Sequence, residues 1–321
     1  MPSDVTHRLT LHLGDDCDNE CVFCALRGAA SRAALSLDDV RAGLAAGREA
    51  GHREVTFVGG EPTRHPHLVE SVRAAREAGF ERIGVQTHAR HLAVHDLAAE
   101  LARAGLTDVH ASIHGPDAAT HDFHTGISGS FVASLAGVGA ARASGLLVAA
   151  STVLTRSNYR VLVDVPRLLG TRGVTAWCVW IPRVHGGAAE SPDRIVPRLA
   201  LAMPYALHAI DASIRRSLPA WIAGAPLCLL GPFASRALLD GPRAFGTQCG
   251  VCPSQSRCSG VDAWYLTRFG ADELMARETV RLSDDHAAVR RIFVGPGRLG
   301  PSTPPASAES PEKKRGLPVV R

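Results

Sequence analysis

The stretch "RLTLHLGDDCDNECVFC", Arg8 to Cys24, places an alternating apolar segment directly before three cysteines. Successive side chains of a strand point to opposite faces, so Leu9, Leu11 and Leu13 share one face while Thr10 and His12 share the other. The cysteines follow as C-x3-C-x2-C, at Cys17, Cys21 and Cys24. Thiolates bind zinc or iron–sulfur clusters. A structural zinc site takes four ligands, and no fourth cysteine or histidine adjoins this group, although His12 or a distant residue could supply one. Three thiolates on a [4Fe–4S] cluster leave one iron open, which makes a reactive site.

Outward from this stretch, short apolar strands alternate with helical patterns. "EVTFV" (54–58), "RIGVQT" (82–87), "DVHASI" (108–113), "LLVAASTVL" (146–154) and "TAWCVWI" (175–181) read as further strands. Between them lie helical stretches: one opened by Ser36 with Asp39 at capping-box spacing, one through Leu68, Val72 and Ala75, and others over 91–104, 131–143 and 160–169. Six βα units imply a parallel sheet with right-handed crossovers, open or closed into a barrel. Parity separates the two cases. Gln86 and His88 lie opposite Val85 and Thr87, and His110, Ser112 and His114 lie opposite Val109, Ala111 and Ile113. A sheet covered by helices on both faces is apolar on both; one repeatedly polar face suits a barrel interior holding a polar ligand. The plainer alternative is that polar residues collect at strand ends.

Composition narrows the classes. Apolar residues form 45% of the 321 and charged residues 21%, enough for a sizeable core, and the net charge of +4 comes without an aromatic-basic patch. Neither nucleic acid nor a membrane span is expected. "MPSDVTHRLT" lacks the apolar region of a signal peptide, so a cytoplasmic, reducing setting is expected. There, eight cysteines read as metal ligands or reactive groups sooner than as disulfides. The chain divides into a core at 1–215, a cysteine-rich region at 216–285 and a tail at 295–321, whose "GPGRLGPSTPPASAESPEKKRG" buries too little apolar surface to order itself.

"CDNECVFC", with Phe23 just before the third cysteine, resembles the signature loop of the radical S-adenosylmethionine (radical SAM) enzymes. "GGEPT", Gly59 to Thr63, directly follows the second strand and is similar to that superfamily's Gly-Gly-Glu motif. The resemblance covers roughly residues 5–185 and implies an α/β fold, a partial (β/α)6 TIM-type barrel. It also implies that Cys17, Cys21 and Cys24 hold a [4Fe–4S] cluster whose fourth iron is chelated by the amine and carboxylate of SAM. Reductive cleavage of SAM would then give a 5′-deoxyadenosyl radical that takes hydrogen from a substrate in the barrel. Flavodoxin or ferredoxin would be the kind of electron donor required.

By the same resemblance, Gly59 and Gly60 let backbone approach the methionyl end, and Glu61 accepts from its ammonium group. Phe23, Pro62 and Ser112 complete the SAM-binding set; Pro62 would otherwise read as proline at a helix start. The superfamily's "TNG" after the third strand stands here as "THA", Thr87 to Ala89, with His88 in place of asparagine.

Two candidates for catalysis lie outside these motifs. His114 is a candidate acid–base group, against polar barrel lining for it and His110, and exposed loop positions for His121 and His124. Cys178 on the sixth strand is a candidate hydrogen donor to a product radical, as in some radical SAM peptide epimerases, against a buried packing cysteine.

Cys228, Cys249, Cys252 and Cys258 form a second group, whose C-x2-C-x5-C portion resembles the auxiliary-cluster extensions called SPASM and twitch. Asp262 stands where the full SPASM pattern has a further cysteine, so a single second [4Fe–4S] cluster of twitch type fits. A zinc ribbon is the alternative. "YLTRFG" (265–270) reads as packing beneath this group.

The resulting expectation is a radical SAM oxidoreductase acting in peptide or natural-product tailoring, with cofactor biosynthesis second. A non-catalytic iron–sulfur or zinc protein is the rival, and "GGEPT" speaks against it, since an electron carrier has no use for an amino-acid-binding turn. Only 16 residues precede Cys17, so a peptide substrate would rely on a separate partner or a site at the barrel rim.

Overall fold

The computed structural model describes residues 8–241, 243–280 and 286–293. The tail expected at 295–321 lies outside these residues. Eight parallel strands form one sheet in sequence order: β1 (Arg8–His12), β2 (Glu54–Val58), β3 (Arg82–Thr87), β4 (Asp108–Ser112), β5 (Leu147–Val153), β6 (Ala176–Trp180), β7 (Ala220–Ala223) and β8 (Ala237–Leu238). The sheet curls into a half-barrel with β1 and β8 as its edges. The α/β partial barrel is therefore present, but with two strands more than the six read from sequence. Both extra strands lie in the region taken as a cysteine-rich extension, so the sheet runs on into it.

Helices cover the outer face. The first, α1 (Leu37–Glu49), starts as its sequence dictates: the Ser36 hydroxyl accepts from the Asp39 amide at 3.1 Å while the Asp39 carboxylate accepts from the Ser36 amide at 3.3 Å. Then come α2 (Leu68–Glu77), α3 (Leu97–Ala104), α4 (Ala118–Thr125), α5 (Ser130–Ala143) and α6 (Val165–Thr171). Two short helices, α7 (Gly187–Glu190) and α8 (Pro192–Ile195), precede the long α9 (Leu199–Ile214). Beyond β8 lie α10 (Ala263–Phe269) and α11 (Ala287–Arg290). Three stretches depart from expectation. The helix expected over 91–104 begins only at Leu97, because residues 90–96 turn back toward the cysteine loop. The one expected over 160–169 is a tight 3-10 segment, Tyr159–Asp164, that hands over to α6 near Pro166. The His-rich "loop" is itself helix α4, capped by Asp117, which accepts from the Thr120 amide at 2.8 Å.

Strand parity sorts the core into two. Outward residues such as Val55, Phe57, Val85, Val109, Val148 and Trp177 join the helices in the main core. Inward residues of the later strands, Ala149, Ala176, Cys178, Trp221, Ala223 and Leu238, form a second cluster with Ile292 and Phe293. The inward face of β1–β4 is polar at both ends. At the strand starts Arg8 pairs with Glu54 at 3.3 Å and Asp108 at 2.9 Å, so these polar residues satisfy one another. Among the described residues no helix is long and apolar enough to cross a membrane.

Candidate functional site

At the C-terminal end of the sheet the cysteine loop leaves β1 and is tied down on all sides through its backbone. Leu13 donates to the Val58 carbonyl at 2.8 Å, Glu20 to Thr125 at 2.8 Å, Val22 to His124 at 3.1 Å, and Gly187 donates to Cys24 at 2.8 Å. The loop is thus fixed by β2, α4 and the α7 turn, and its cysteines are half-buried or exposed rather than sunk in the core.

Gly59 and Gly60 press directly on this loop. Gly60 donates to the Gly14 carbonyl at 2.8 Å and Glu61 to the Asp16 carbonyl at 2.7 Å. A Cβ on Gly59 would stand 2.4 Å from the Gly14 carbonyl oxygen, and one on Gly60 2.3 Å from that of Asp15. The backbone these glycines admit is the chain's own, at the approach to Cys17. This is a structural demand on the glycines beside the ligand approach expected of them. Pro62 likewise opens a 3-10 turn, Pro62–Arg64, and the helix begins six residues later at Leu68.

Glu61 is 3% exposed. One carboxylate oxygen accepts from the Thr63 amide (2.9 Å), the Thr63 hydroxyl (2.6 Å) and the Thr87 hydroxyl (2.5 Å); the other accepts from the His88 amide (2.8 Å). The His88 side chain, read as a departure from a motif, reaches Asp18 in the cysteine loop at 2.9 Å. His91 also reaches Asp18 (3.0 Å), and Arg90 donates to the Asp18 carbonyl (3.0 Å) and to Asn19 (2.5 Å). Burial pushes the Asp18 carboxyl up, but the His88 hydrogen bond with His91 and Arg90 outweighs it and holds the group below its ordinary range. Asp18, Arg90 and His91 are site residues that sequence reading missed. The run "HARH" (88–91), directly after the third strand, was the available signal.

Two of the loop's thiols, Cys17 and Cys21, resist ionisation. Burial, with the Glu61, Asp18 and Cys24 charges nearby, pushes Cys17 up to about 11; burial, then Cys24 and Cys17, pushes Cys21 to about 12. Three thiolates that oppose one another are made compatible by a cationic centre, so the donor set fits a metal or cluster. Zinc and a cluster of several irons ask for different spacings of these sulfurs. Tetrahedral zinc at ~2.3 Å from each sulfur brings sulfurs to within ~3.8 Å of one another. Among the described residues no three sulfurs lie within 4.8 Å; the one group that does is Cys17, Asp18 and His88. A cluster of several irons holds its thiolates further apart.

Phe23 packs edge-on against His114, ring centroids 4.8 Å apart. Ser112 sits half-buried on the inward face at the end of β4. His114 itself is enclosed, stacked on His121 at 5.8 Å, and burial, then His121 and His124, hold its pKa well below 6.5. It packs against Phe23 behind the cysteine loop, where burial disfavours its charged form. His121 and His124 are also fully buried, not exposed. His124 donates to the Thr120 carbonyl at 2.6 Å and accepts from the Thr155 hydroxyl at 2.7 Å. Cys178 is 0% exposed within the apolar cluster closed by Ile292 and Phe293. It lies on the inward face of β6, enclosed by these apolar side chains.

The second cysteine group is assembled. Cys228 follows β7, while Cys249, Cys252 and Cys258 lie on or beside two 3-10 turns, Thr247–Val251 and Gln255–Arg257. Burial raises the Cys228 pKa and the nearby Cys258 and Cys249 add to it. Backbone amides serve the sulfurs: Leu227 and Gly260 donate to Cys258, and Arg277 to Cys252, each at 3.4 Å. Asp262, in place of a cysteine, caps α10 through the Trp264 amide (3.0 Å) and accepts from the Val184 amide (3.1 Å). Tyr265 packs beneath as expected, and its hydroxyl also accepts from the Leu199 amide at the start of α9 (2.6 Å). A cleft of about 650 Å³ opens behind the cysteine loop, between Val22, Phe123, Thr155, Arg156 and the α7–α8 turn; neither Glu61 nor Ser112 lines it.

The sequence profile of the Radical SAM superfamily matches residues 11–164. An AdoMet-dependent heme synthase of Nitratidesulfovibrio vulgaris is 28% identical over 162 residues, covering 50% of this chain and 44% of the relative. A PqqA peptide cyclase of Rhodopseudomonas palustris is 31% identical over 192 residues, 59% of this chain and 50% of the relative. The chain thus spans about half the length of the curated relatives it matches. Among solved structures, Streptococcus suis SuiB bound to S-adenosylmethionine superposes with a TM-score of 0.63 at 15% identity, over 84% of this chain and 76% of SuiB, which shows a shared fold.

Proposed function

The chain belongs to the radical SAM superfamily through residues 11–164, and from that premise we propose that it cleaves SAM reductively and removes hydrogen from a peptide or other natural-product substrate. The observation that carries this reading is the contact of the Gly-Gly-Glu turn with the cysteine loop, Gly60 to Gly14 and Glu61 to Asp16. It places a buried carboxylate beside three gathered thiols. Cys17, Cys21 and Cys24 would hold the [4Fe–4S] cluster. Glu61, already oriented by Thr63, Thr87 and His88, would accept from the SAM amine; Ser112 and Phe23 would border the same ligand. When bound, the cluster supplies one electron and SAM the 5′-deoxyadenosyl group that takes the substrate hydrogen.

Peptide substrates are favoured by the kinship with a PqqA peptide cyclase. A heme synthase relative keeps cofactor biosynthesis as the second reading. The four C-terminal thiols would hold a second [4Fe–4S] cluster, a reading supported by the nearness of Cys249 and Cys258 to Cys228 and by amide-to-sulfur hydrogen bonds on Cys252 and Cys258. A small flavin or iron–sulfur protein of a reducing cytoplasm would supply electrons. The test is anaerobic reconstitution, reduction with dithionite and an assay for 5′-deoxyadenosine formed from SAM. No product from protein that carries its iron would overturn the reading.

A further inference from the structure

His88 uses every polar atom it has. Its amide donates to Glu61 at 2.8 Å, and its carbonyl accepts from the Ser134 hydroxyl of α5 at 2.7 Å. Its Nδ1 accepts from the Arg90 amide at 3.1 Å. That bond fixes the tautomer: an Nδ1 that accepts carries no proton, so the ring hydrogen sits on Nε2. Nε2 then faces two carboxylates, Asp18 at 2.9 Å and Glu61 at 3.2 Å, and lies within 4.8 Å of the Cys17 sulfur. The ring is 6% exposed, and no other described side chain reaches both carboxylates.

We propose that His88 is a positioning residue that fixes the distance between the Cys17 loop and Glu61, and thereby sets the affinity for SAM. This inference rests on the function proposed above. Under that reading one small ligand must meet an iron held by Cys17 and a carboxylate at position 61 together. A site that waits for its ligand with both groups in place loses no affinity in arranging them. An asparagine side chain is shorter by more than an ångström and cannot span Asp18 and Glu61 from this backbone. The spacing here is therefore set by His88, with Asp18 as its counterpart.

The test compares wild type, His88→Ala, His88→Gln and Asp18→Asn after anaerobic reconstitution. Glutamine keeps an amide hydrogen close to the place of Nε2. Three quantities are read: iron per chain, the Kd for SAM by equilibrium dialysis normalised to iron, and the change in the reduced cluster's EPR spectrum on adding SAM. His88→Ala and Asp18→Asn are expected to keep their iron and to bind SAM at least tenfold more weakly. His88→Gln is expected to return within about threefold of wild type. SAM binding by His88→Ala within threefold of wild type overturns the proposal. So does loss of iron from both His88 variants, which makes the residue a support of the fold. Wild-type protein that takes up no iron, or binds no SAM, is a separate result that fells the underlying functional reading.

Discussion

Arg8 on β1 donates to both oxygens of Asp108 on β4, at 2.9 and 3.1 Å, across the two strands that lie between them in the sheet. A flat sheet would hold these strands too far apart, at nearly 5 Å per strand; the curl of the half-barrel brings them together. Both side chains are almost fully buried, and Glu54 and Arg82 share the network. Removing one partner of such a pair strands a buried charge, at about 3–5 kcal/mol. Arg8→Met and Asp108→Leu are each expected to lose that much in urea unfolding, and the double variant clearly less than their sum. Strict additivity would mean that the pair does not brace the curl.

Behind the same network, His110 is buried against Phe293, ring centroids 5.1 Å apart, with Arg8 and Asp108 its charged neighbours. Burial, with Arg8 adding to it, lowers its pKa to about 4; burial also lowers His121 to about 4, with Asp122 opposing and His124 and His88 reinforcing. Both rings are neutral in the native chain and take up a proton near 6.5 once unfolded. Between pH 6.5 and 4 the unfolded state binds more protons, so stability is full above 6.5 and falls as the pH drops through this window. A loss of a few kcal/mol is expected between pH 7 and 4.5, at roughly 1.4 kcal/mol per unit of pKa difference. His110→Gln should flatten the profile, which urea midpoints at each pH would show. An unchanged slope in that variant would remove His110 from the account.

Gly60 and Glu61 adjoin each other but are expected to fail differently. Valine at 60 drives its Cβ into the Asp15 and Asp16 carbonyls, 2.3 and 2.4 Å away, so the cysteine loop must move. Gly60→Val is expected to lose iron as well as SAM binding. Glu61→Ala leaves the loop backbone alone and removes one charge-assisted contact of about 1.5–3 kcal/mol, a fall of one to two decades in SAM affinity with iron retained. Iron analysis and equilibrium dialysis on both variants separate the cases. Full iron in Gly60→Val would show that the glycine pair serves the ligand after all.

These contacts mark how far the sequence could be read. Alternation in "RLTLHL" and "DVHASI" gave six strands and the correct inward face, because period two survives wherever one face is apolar. "AWIA" of β7 is buried at all four positions, so it carries no alternation to find. Helix α4 was hidden by histidines, which pattern as polar yet are buried here by α5 and Thr155. The thiols and Glu61 were legible as motifs. The bonds that join residues 18, 61 and 88 are tertiary, and nothing local in the chain records them.

The second cysteine group gives the sharpest count. Two [4Fe–4S] clusters imply about eight irons per chain, and one implies about four. Replacing Cys17, Cys21 and Cys24 together by alanine is expected to leave about four irons and a brown, EPR-active species on reduction. Leu227 and Gly260 donate to Cys258 and Arg277 to Cys252, and none of these contacts involves the first loop, so they are expected to persist in that variant. Adding Cys252→Ala should then abolish the signal, because its sulfur anchors the Arg277 segment and is one of the four proposed ligands. Zinc would draw the four sulfurs to ~3.8 Å from one another, closer than any three of them stand here. Stoichiometric zinc without iron in the triple variant, after anaerobic isolation and reconstitution, would make the region a structural ribbon. It would also leave no one-electron acceptor there for a substrate radical, since zinc is redox-inert.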